Sequence, residues 1–357
     1  MENPVRVTRL AKKRGAELIS GNNEQHQPNI KNRVILGEIS NLSKVPNPKK
    51  KPNLKSKKAV ITTILDESVG EIDSKPDDPR ICNAYVIDIY KYLHNMEIEE
   101  KRRPLPDYIE KIQNDINSNM RSLLVDWLVE VADEYNLLPD TLYLTISYID
   151  RFLSANIINR NKLQLLGVSS MLIATKFEEI DPPRINEFCN ITDNTYYKEE
   201  IVQMETDILK CLNYEISNPT IKTFLRKFIS IAQEDYYKKP NLDLEFLGCF
   251  LAELTLLDYD CVKFLPSKIA SSVVFLSLFT LRPDQHPWNS ALEKYTGYKA
   301  ADLKECSLII QDLQIGKRGG GSLVAIRDKY KQHKFKHVST LTCSCEVPSY
   351  YFEEIQH

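Results

Sequence analysis

Glycine is scarce in this chain of 357 residues: there are 11, and only Gly70, Gly167, Gly248 and Gly297 fall between residues 60 and 315. Glycine is the usual source of positive φ in tight turns, bulges and phosphate-cradling loops. A body this poor in it argues against a β-sandwich, a dinucleotide-binding α/β fold or a P-loop enzyme. Histidine is scarcer, six in all and none between His94 and His286, so the first half of the folded region has no imidazole for a catalytic or metal centre. No stretch supplies about 20 uninterrupted apolar residues, and the N-terminus MENPVRVTRLAKKRG has no apolar run of signal-peptide length. Six of the eight cysteines (Cys82, Cys189, Cys211, Cys249, Cys261, Cys306) are scattered without ligand spacing. Cys343 and Cys345 form C-x-C with no second pair to complete a zinc site. These absences predict a soluble intracellular protein with reduced thiols, and they lean away from catalysis.

What is present is unevenly charged. The formal total is −2, yet residues 1–60 hold fourteen Lys/Arg against four Asp/Glu, which leaves −12 on the remainder. The first segment is rich in Asn, Pro, Lys and Ser and cannot bury enough apolar surface to offset chain entropy, so residues 1 to about 80 are predicted to be disordered. Within it Pro46 to Lys58, PNPKKKPNLKSKK, is either a solvated charge run or a nuclear-import signal. Nucleic-acid binding is disfavoured, because no aromatic interleaves and the body is acidic.

From about residue 81 the apolar spacing is helical. Tyr85, Ile89, Tyr92, Leu93 and Met96 share one predicted face. Met120, Leu123, Leu124, Trp127, Leu128 and Val131 share another, after a cap at Asn117 or Ser118. Leu142 to Leu153 follow Pro139, and Lys162 to Phe177 is apolar nearly all round, with Gly167, Ser169, Ser170 and Ala174 allowing close helix approach. Asp181-Pro182-Pro183 stops the pattern, and Ile201 to Leu212 mark a further helix. Asn218-Pro219-Thr220 opens a second copy, whose Ser267 to Leu281 matches the earlier central helix in character. Two all-α units of roughly 100 residues, each about five helices around one apolar helix, describe the body. After Gly319-Gly320-Gly321 comes a basic stretch, Arg327 to His337, to which spacing assigns no role.

The carboxylates Asp126, Glu130, Asp133 and Glu134, and Glu178, Glu179 and Asp181, could form general acid/base sets, but at helical spacing such groups are usually a solvated face or ion-pair partners. No nucleophile–base pair, Gly-rich loop or HExxH accompanies them. His333 and His337 lie among lysines that disfavour a cation. The Met120, Leu123, Leu124 and Trp127 stripe edged by Glu130 reads either as core or as a groove for an apolar peptide carrying a basic residue. Arg121 and Asp150 could pair inside the bundle, a choice that spacing alone leaves open.

Three blocks, Met120 to Ser154, Lys162 to Pro183 and Ile191 to Ile216, closely resemble the cyclin box, and the similarity runs from about Tyr85 to Leu341. LVEVADEY (Leu128 to Tyr135) and NPTIKTFLRKF resemble the wording of a plant A-type mitotic cyclin. The resemblance implies tandem five-helix cyclin folds with a preceding N-terminal helix and no catalysis or cofactor of the chain's own. It divides the chain into a tail (1–80), helix plus first box (81–216), second box (217–341) and C-terminal tail (342–357). It implies a cyclin-dependent kinase as partner, held through its αC helix and activation loop.

By matching blocks, Lys176, Phe177, Glu179, Glu205, Leu209 and Ile216 would contact the kinase, with Tyr85, Ile89 and Tyr92 on the flanking helix. Arg121 and Asp150 would form the buried salt bridge of the box. Met120, Leu123, Leu124, Trp127, Glu130 and Gln164 would form the patch that captures Arg-x-Leu peptides of substrates and inhibitors. Arg33-Val34-Ile35-Leu36-Gly37-Glu38-Ile39-Ser40-Asn41 fits the extended destruction box R-x-x-L-x-x-I-x-N, in which Arg33, Leu36, Ile39 and Asn41 would be read by the anaphase-promoting ubiquitin ligase. No Lys-Glu-Asn box and no Ser-Pro or Thr-Pro dipeptide occurs. A nuclear protein without direct nucleic-acid or membrane contact is the expectation. The competing one is a cyclin-fold adaptor of transcription initiation, against which the acidic body argues.

Overall fold

A computed structural model describes residues 85–237, 240–318, 323–341 and 346–353. The destruction-box residues Arg33, Leu36, Ile39 and Asn41 and the basic cluster Pro46–Lys58 lie outside them. Among the described residues there are thirteen α-helices and no strand. In chain order they are α1 (Val86–Glu97), α2 (Tyr108–Lys111), α3 (Ser118–Glu134), α4 (Pro139–Leu153), α5 (Leu163–Glu178), α6 (Ile185–Ile191) and α7 (Lys198–Cys211). Then come α8 (Ile221–Tyr236), α9 (Leu242–Leu257), α10 (Pro266–Leu281), α11 (Ser290–Thr296), α12 (Ala300–Gln314) and α13 (Ala325–Tyr330).

Helices α3–α7 form the first five-helix unit and α8–α12 the second, as the sequence pattern predicts. In the first, α5 packs against α3, α4, α6 and α7. Every residue of α5 from Leu163 to Thr175 is buried, which is why its sequence is apolar all round instead of striped. In the second, α10 packs against α8, α9 and α12. The glycines within helices mark close approaches. A Cβ on Gly167 of α5 would lie 2.8 Å from Leu124 Cδ1 of α3, and one on Gly248 of α9 would lie 2.8 Å from Ile229 Cδ1 of α8. Helix ends follow local chemistry. The Asn117 side chain accepts from Met120 N and caps α3. Pro139 occupies the first turn of α4, where a missing N–H costs nothing. Gly297, at φ 73°, ends α11.

The units meet where α3 packs on α9 and α4 on α8. Two further segments tie them. Helix α1 lies across the second unit, where buried Glu97 accepts from Ser267 N (3.0 Å) and Ser267 Oγ (2.6 Å) at the start of α10. The His94 ring sits 4.9 Å from that of Phe224 on α8. At the other end α13 packs on both α3 and α9, forming a strap that returns from the second unit to the first. The segment Glu346–Glu353 closes over α10, with Phe352 stacked 5.0 Å from Phe275.

Candidate functional site

At the centre of the molecule is an ion pair. Arg121, in the first turn of α3, donates from Nε and Nη2 to the two carboxylate oxygens of Asp150 on α4, both at 2.7 Å. Tyr108 of α2 donates to the same carboxylate at 2.9 Å. The third arm of the guanidinium, Nη1, donates to the carbonyl of Leu256 at the end of α9, 2.8 Å away. Arg121 therefore joins α3, α4 and the second unit at one buried point. Burial opposes its charge, but Asp150 and the surrounding bonds hold the guanidinium protonated. The bond to Leu256 is invisible in sequence, because 135 residues separate the partners.

The stripe on α3 is divided between core and surface. Met120 (2% exposed), Leu124 (0%) and Gln164 (8%) are buried, whereas Leu123 and Trp127 are half-buried and Glu130 is exposed. The structure thus brings the six residues to one side of α3 and the start of α5, but only Leu123, Trp127 and Glu130 reach solvent. Leu124 is fixed instead by contact with the α5 backbone at Gly167. Asp126, on the same helix, is not part of a solvated face: it is buried and accepts from Ala325 N at 3.1 Å, holding the start of α13. Burial pushes its carboxyl up to about 6, against the backbone bonds that favour the charged form, with Glu130 and Asp328 adding to the rise.

The residues matched to kinase contacts lie on or beside α1, α5 and α7, and the Lys176–Glu205 contact joins those of α5 and α7 into a second surface. The predicted face of α1 is split: Tyr85 (63% exposed), Ile89 (45%) and Tyr92 (61%) point outward, while Met96 is buried and Leu93 half-buried. The reason is tertiary. Helix α1 docks through the neighbouring stripe of Tyr90, Leu93 and Glu97, which leaves its aromatic stripe without cover. Helix α5, buried along most of its length, ends in exposed Lys176 and in Phe177 at 45% exposure. Lys176 Nζ lies 2.6 Å from Glu205 Oε1 on α7, so the two form an exposed pair beside Phe177. Leu209 and Ile216 are half-buried. Glu179 acts within its own unit, accepting from Leu138 N (2.7 Å) and Thr141 Oγ1 (2.6 Å) and so capping the start of α4. Its neighbour Glu178 is raised from the usual carboxylate range by burial and by Asp140, against the lowering effect of Arg226.

Two residues beside this surface escaped the sequence reading. Ile180 is fully exposed, and Tyr214 is 67% exposed with φ 60°, a left-handed conformation that a bulky side chain rarely adopts. Neither carries a periodicity signal, since both lie just past the end of a helix. Among the described residues no group of three or more His, Cys, Asp or Glu could hold a metal ion. No helix of the described residues is long and apolar enough to cross a membrane.

Comparison with known proteins agrees with this architecture. A family model for the cyclin N-terminal domain matches residues 88–217, and one for the cyclin C-terminal domain matches residues 219–344. Cyclin-A3-2 of Arabidopsis thaliana is 52% identical over 367 aligned residues, covering 98% of each chain. The G2/mitotic-specific cyclin C13-1 of Daucus carota is 54% identical over 342 residues, covering 92% of this chain and 98% of its own. Among solved structures, a viral cyclin from herpesvirus saimiri superposes with a TM-score of 0.54 at 19% identity, over 62% of this chain and 95% of that one. That likeness concerns the fold alone. With both domain models matched and relatives this similar along nearly their whole length, the chain belongs to the cyclin family and resembles its plant A-type members.

Proposed function

We propose that this chain is the regulatory subunit of a cyclin-dependent serine/threonine kinase, acting in cell-cycle progression at S phase and the G2–M transition. One observation carries the kinase reading: α5, buried from Leu163 to Thr175, emerges at a solvent-facing Phe177 next to the Lys176–Glu205 pair. A core helix that ends in an exposed aromatic fits a partner's apolar helix. A rigid bundle of this kind would hold the kinase αC helix so that its Glu meets the ATP-binding Lys, and would order the activation loop. Moving a kinase from 1:99 to 99:1 active needs a differential affinity of about 5.5 kcal/mol, which a broad preformed surface can supply. The name of the carrot relative supports the G2/mitotic assignment.

The half-buried Leu123 and Trp127, edged by Glu130, would capture Arg-x-Leu segments of substrates and inhibitors. The tail would supply the rest: Arg33, Leu36, Ile39 and Asn41 for ubiquitin-mediated destruction, and Pro46–Lys58 for nuclear import. The test is kinase activation by the full chain at limiting concentration. Phe177→Ala should raise the concentration for half-activation about tenfold, in the range of interface aromatics, with little change in thermal stability. Activation equal to wild type would remove Phe177 from the contact surface. Trp127→Ala should slow phosphorylation of a protein bearing Arg-x-Leu and spare a short peptide without it. Arg33→Ala with Leu36→Ala should prolong the protein's life after metaphase, and unchanged turnover would remove the destruction box.

A further inference from the structure

The basic stretch Arg327 to His337 divides in the folded chain. Arg327 and Lys329 turn inward: Arg327 Nη2 donates to the carbonyls of Leu313 (2.6 Å) and Gln314 (3.1 Å), and Lys329 meets both oxygens of buried Glu253 at 2.8 Å. Lys331, His333, Lys334, Lys336 and His337 are exposed. They form a positive island on a body whose residues after 60 sum to −12.

The island is shaped as well as charged. The chain reverses through two consecutive left-handed residues, Lys336 (φ 51°) and His337 (φ 56°), conformations that non-glycine residues adopt at a cost. This reversal brings the rings of His333 and His337 to 5.7 Å between centroids. The His337 Nδ1–H donates to the Lys331 carbonyl, which fixes the orientation of the ring. Lys334 and Lys336 pair with half-buried carboxylates, Asp133 at 3.3 Å and Asp243 at 3.2 Å, and Lys334 also lies 5.0 Å from the centre of the Phe335 ring. Surface pairs of this kind are worth little and exchange readily. Lys331 makes no ion pair with a described residue.

We propose that Lys331, His333, Lys334, Lys336 and His337 form a docking surface for a phosphorylated segment of a partner protein. A phosphate carries close to two charges and three strong acceptor oxygens on one compact group, which suits the Lys331, Lys334 and Lys336 ammonium groups and the His333 ring gathered on a short reversal. A long polyanion would have to lie along the acidic body. Base stacking has only the two small imidazoles of His333 and His337 to use, because the larger ring, Phe335, is packed on Tyr330 and Phe246.

Position adds a constraint on the partner. Lys334 is tied to Asp133 on α3, one turn past Glu130 and less than two past Trp127. An extended peptide anchored on that stripe would reach the island after about four residues, at roughly 3.3 Å each. This spacing rests on the docking stripe proposed above, whereas the phosphate site itself does not.

Fluorescence anisotropy with the full-length chain tests it. The probes are an Arg-x-Leu peptide, the same peptide with phosphoserine about four residues to either side of the motif, and a phosphoserine peptide without the motif. One phosphorylated isomer should bind roughly tenfold tighter than the unmodified peptide, as charge-assisted bonds predict. Lys331→Ala with His333→Ala and His337→Ala should abolish that gain while leaving the unmodified peptide unaffected, which also reports an intact fold. No gain from phosphate on wild type, or a gain that survives in the triple variant, overturns the proposal. Tighter binding of single-stranded DNA or of anionic vesicles, lost in the same variant, overturns it in favour of those polyanions. If the unmodified peptide fails to bind while the motif-free phosphopeptide binds and is lost in the variant, the docking stripe falls and the phosphate surface stands.

Discussion

Arg121 shows how much one side chain can hold. Its charge is buried with only Asp150 to balance it, and its remaining arm reaches the second unit through the Leu256 carbonyl. Removing one partner of a buried pair strands the other, at a cost of about 3–5 kcal/mol. Arg121→Ala and Asp150→Ala should each lower the stability measured by urea denaturation by that amount. Asp126 is the opposite case, a carboxyl made less acidic by its surroundings. Its folded value, about 6, lies above the ordinary 3.8, so the folded state binds the proton more tightly than the unfolded one. The stability it contributes is therefore full below about 4 and is lost as pH rises through about 6. In Asp126→Asn the side-chain oxygen can still accept from Ala325 N, so that pH-dependent component should vanish from urea midpoints measured at about pH 4 and about pH 7. An unchanged slope would assign the titration to another group.

Among the elements, the packing of α3 on α5 carries both the docking stripe and the first core. Leu124 Cδ1 occupies the space that a Cβ at Gly167 would need, and Leu124 is wholly buried. Gly167→Ala forces Leu124 to shift within a filled core, a destabilisation of about 1–3 kcal/mol measurable by thermal melting. Because Leu123 and Trp127 stand on the same helix, the variant should also weaken capture of an Arg-x-Leu peptide. Helix existence, a cap at Asn117 or Ser118 and a helix start at Pro139 were legible in the sequence, since each depends on residues within a turn or two, and the structure selects Asn117 as the cap. The exposed face of α1 was not. Apolar spacing marks Tyr85, Ile89 and Tyr92 as a stripe, but whether a stripe is covered depends on what packs against it, and α1 turns its neighbouring stripe inward.

At the scale of the whole molecule, two segments outside the five-helix units hold them in one arrangement. Helix α1 reaches α10 through Glu97, and the strap bearing α13 bridges α3 and α9 through Asp126, Lys329 and Tyr330. The Lys329–Glu253 pair is the buried latch, with Glu253 Oε1 also accepting from Tyr330 at 2.7 Å. Lys329→Ala should cost about 3–5 kcal/mol as an uncompensated buried carboxylate, whereas Lys336→Ala should cost less than about 1 kcal/mol as an exposed pair. Equal losses in chemical denaturation would mean that the latch is not buried in solution. In sequence the two lysines look alike, seven positions apart in one basic run.

By itself the sequence determined the helical class, the repeat of two five-helix units and the cyclin resemblance. All of these follow from local periodicity, from glycine and proline placement, and from blocks of contiguous residues. The scarcity of glycine is part of that account: connections between helices are short, and Gly167 and Gly248 stand where helices touch. Only the tertiary structure decided which apolar residues stay in solvent, which carboxylate of α3 is buried, and which cations of the basic run are open to a partner. Each of those depends on groups distant in the chain, as Arg121 and Leu256 are, and burial is a property of the assembled neighbours.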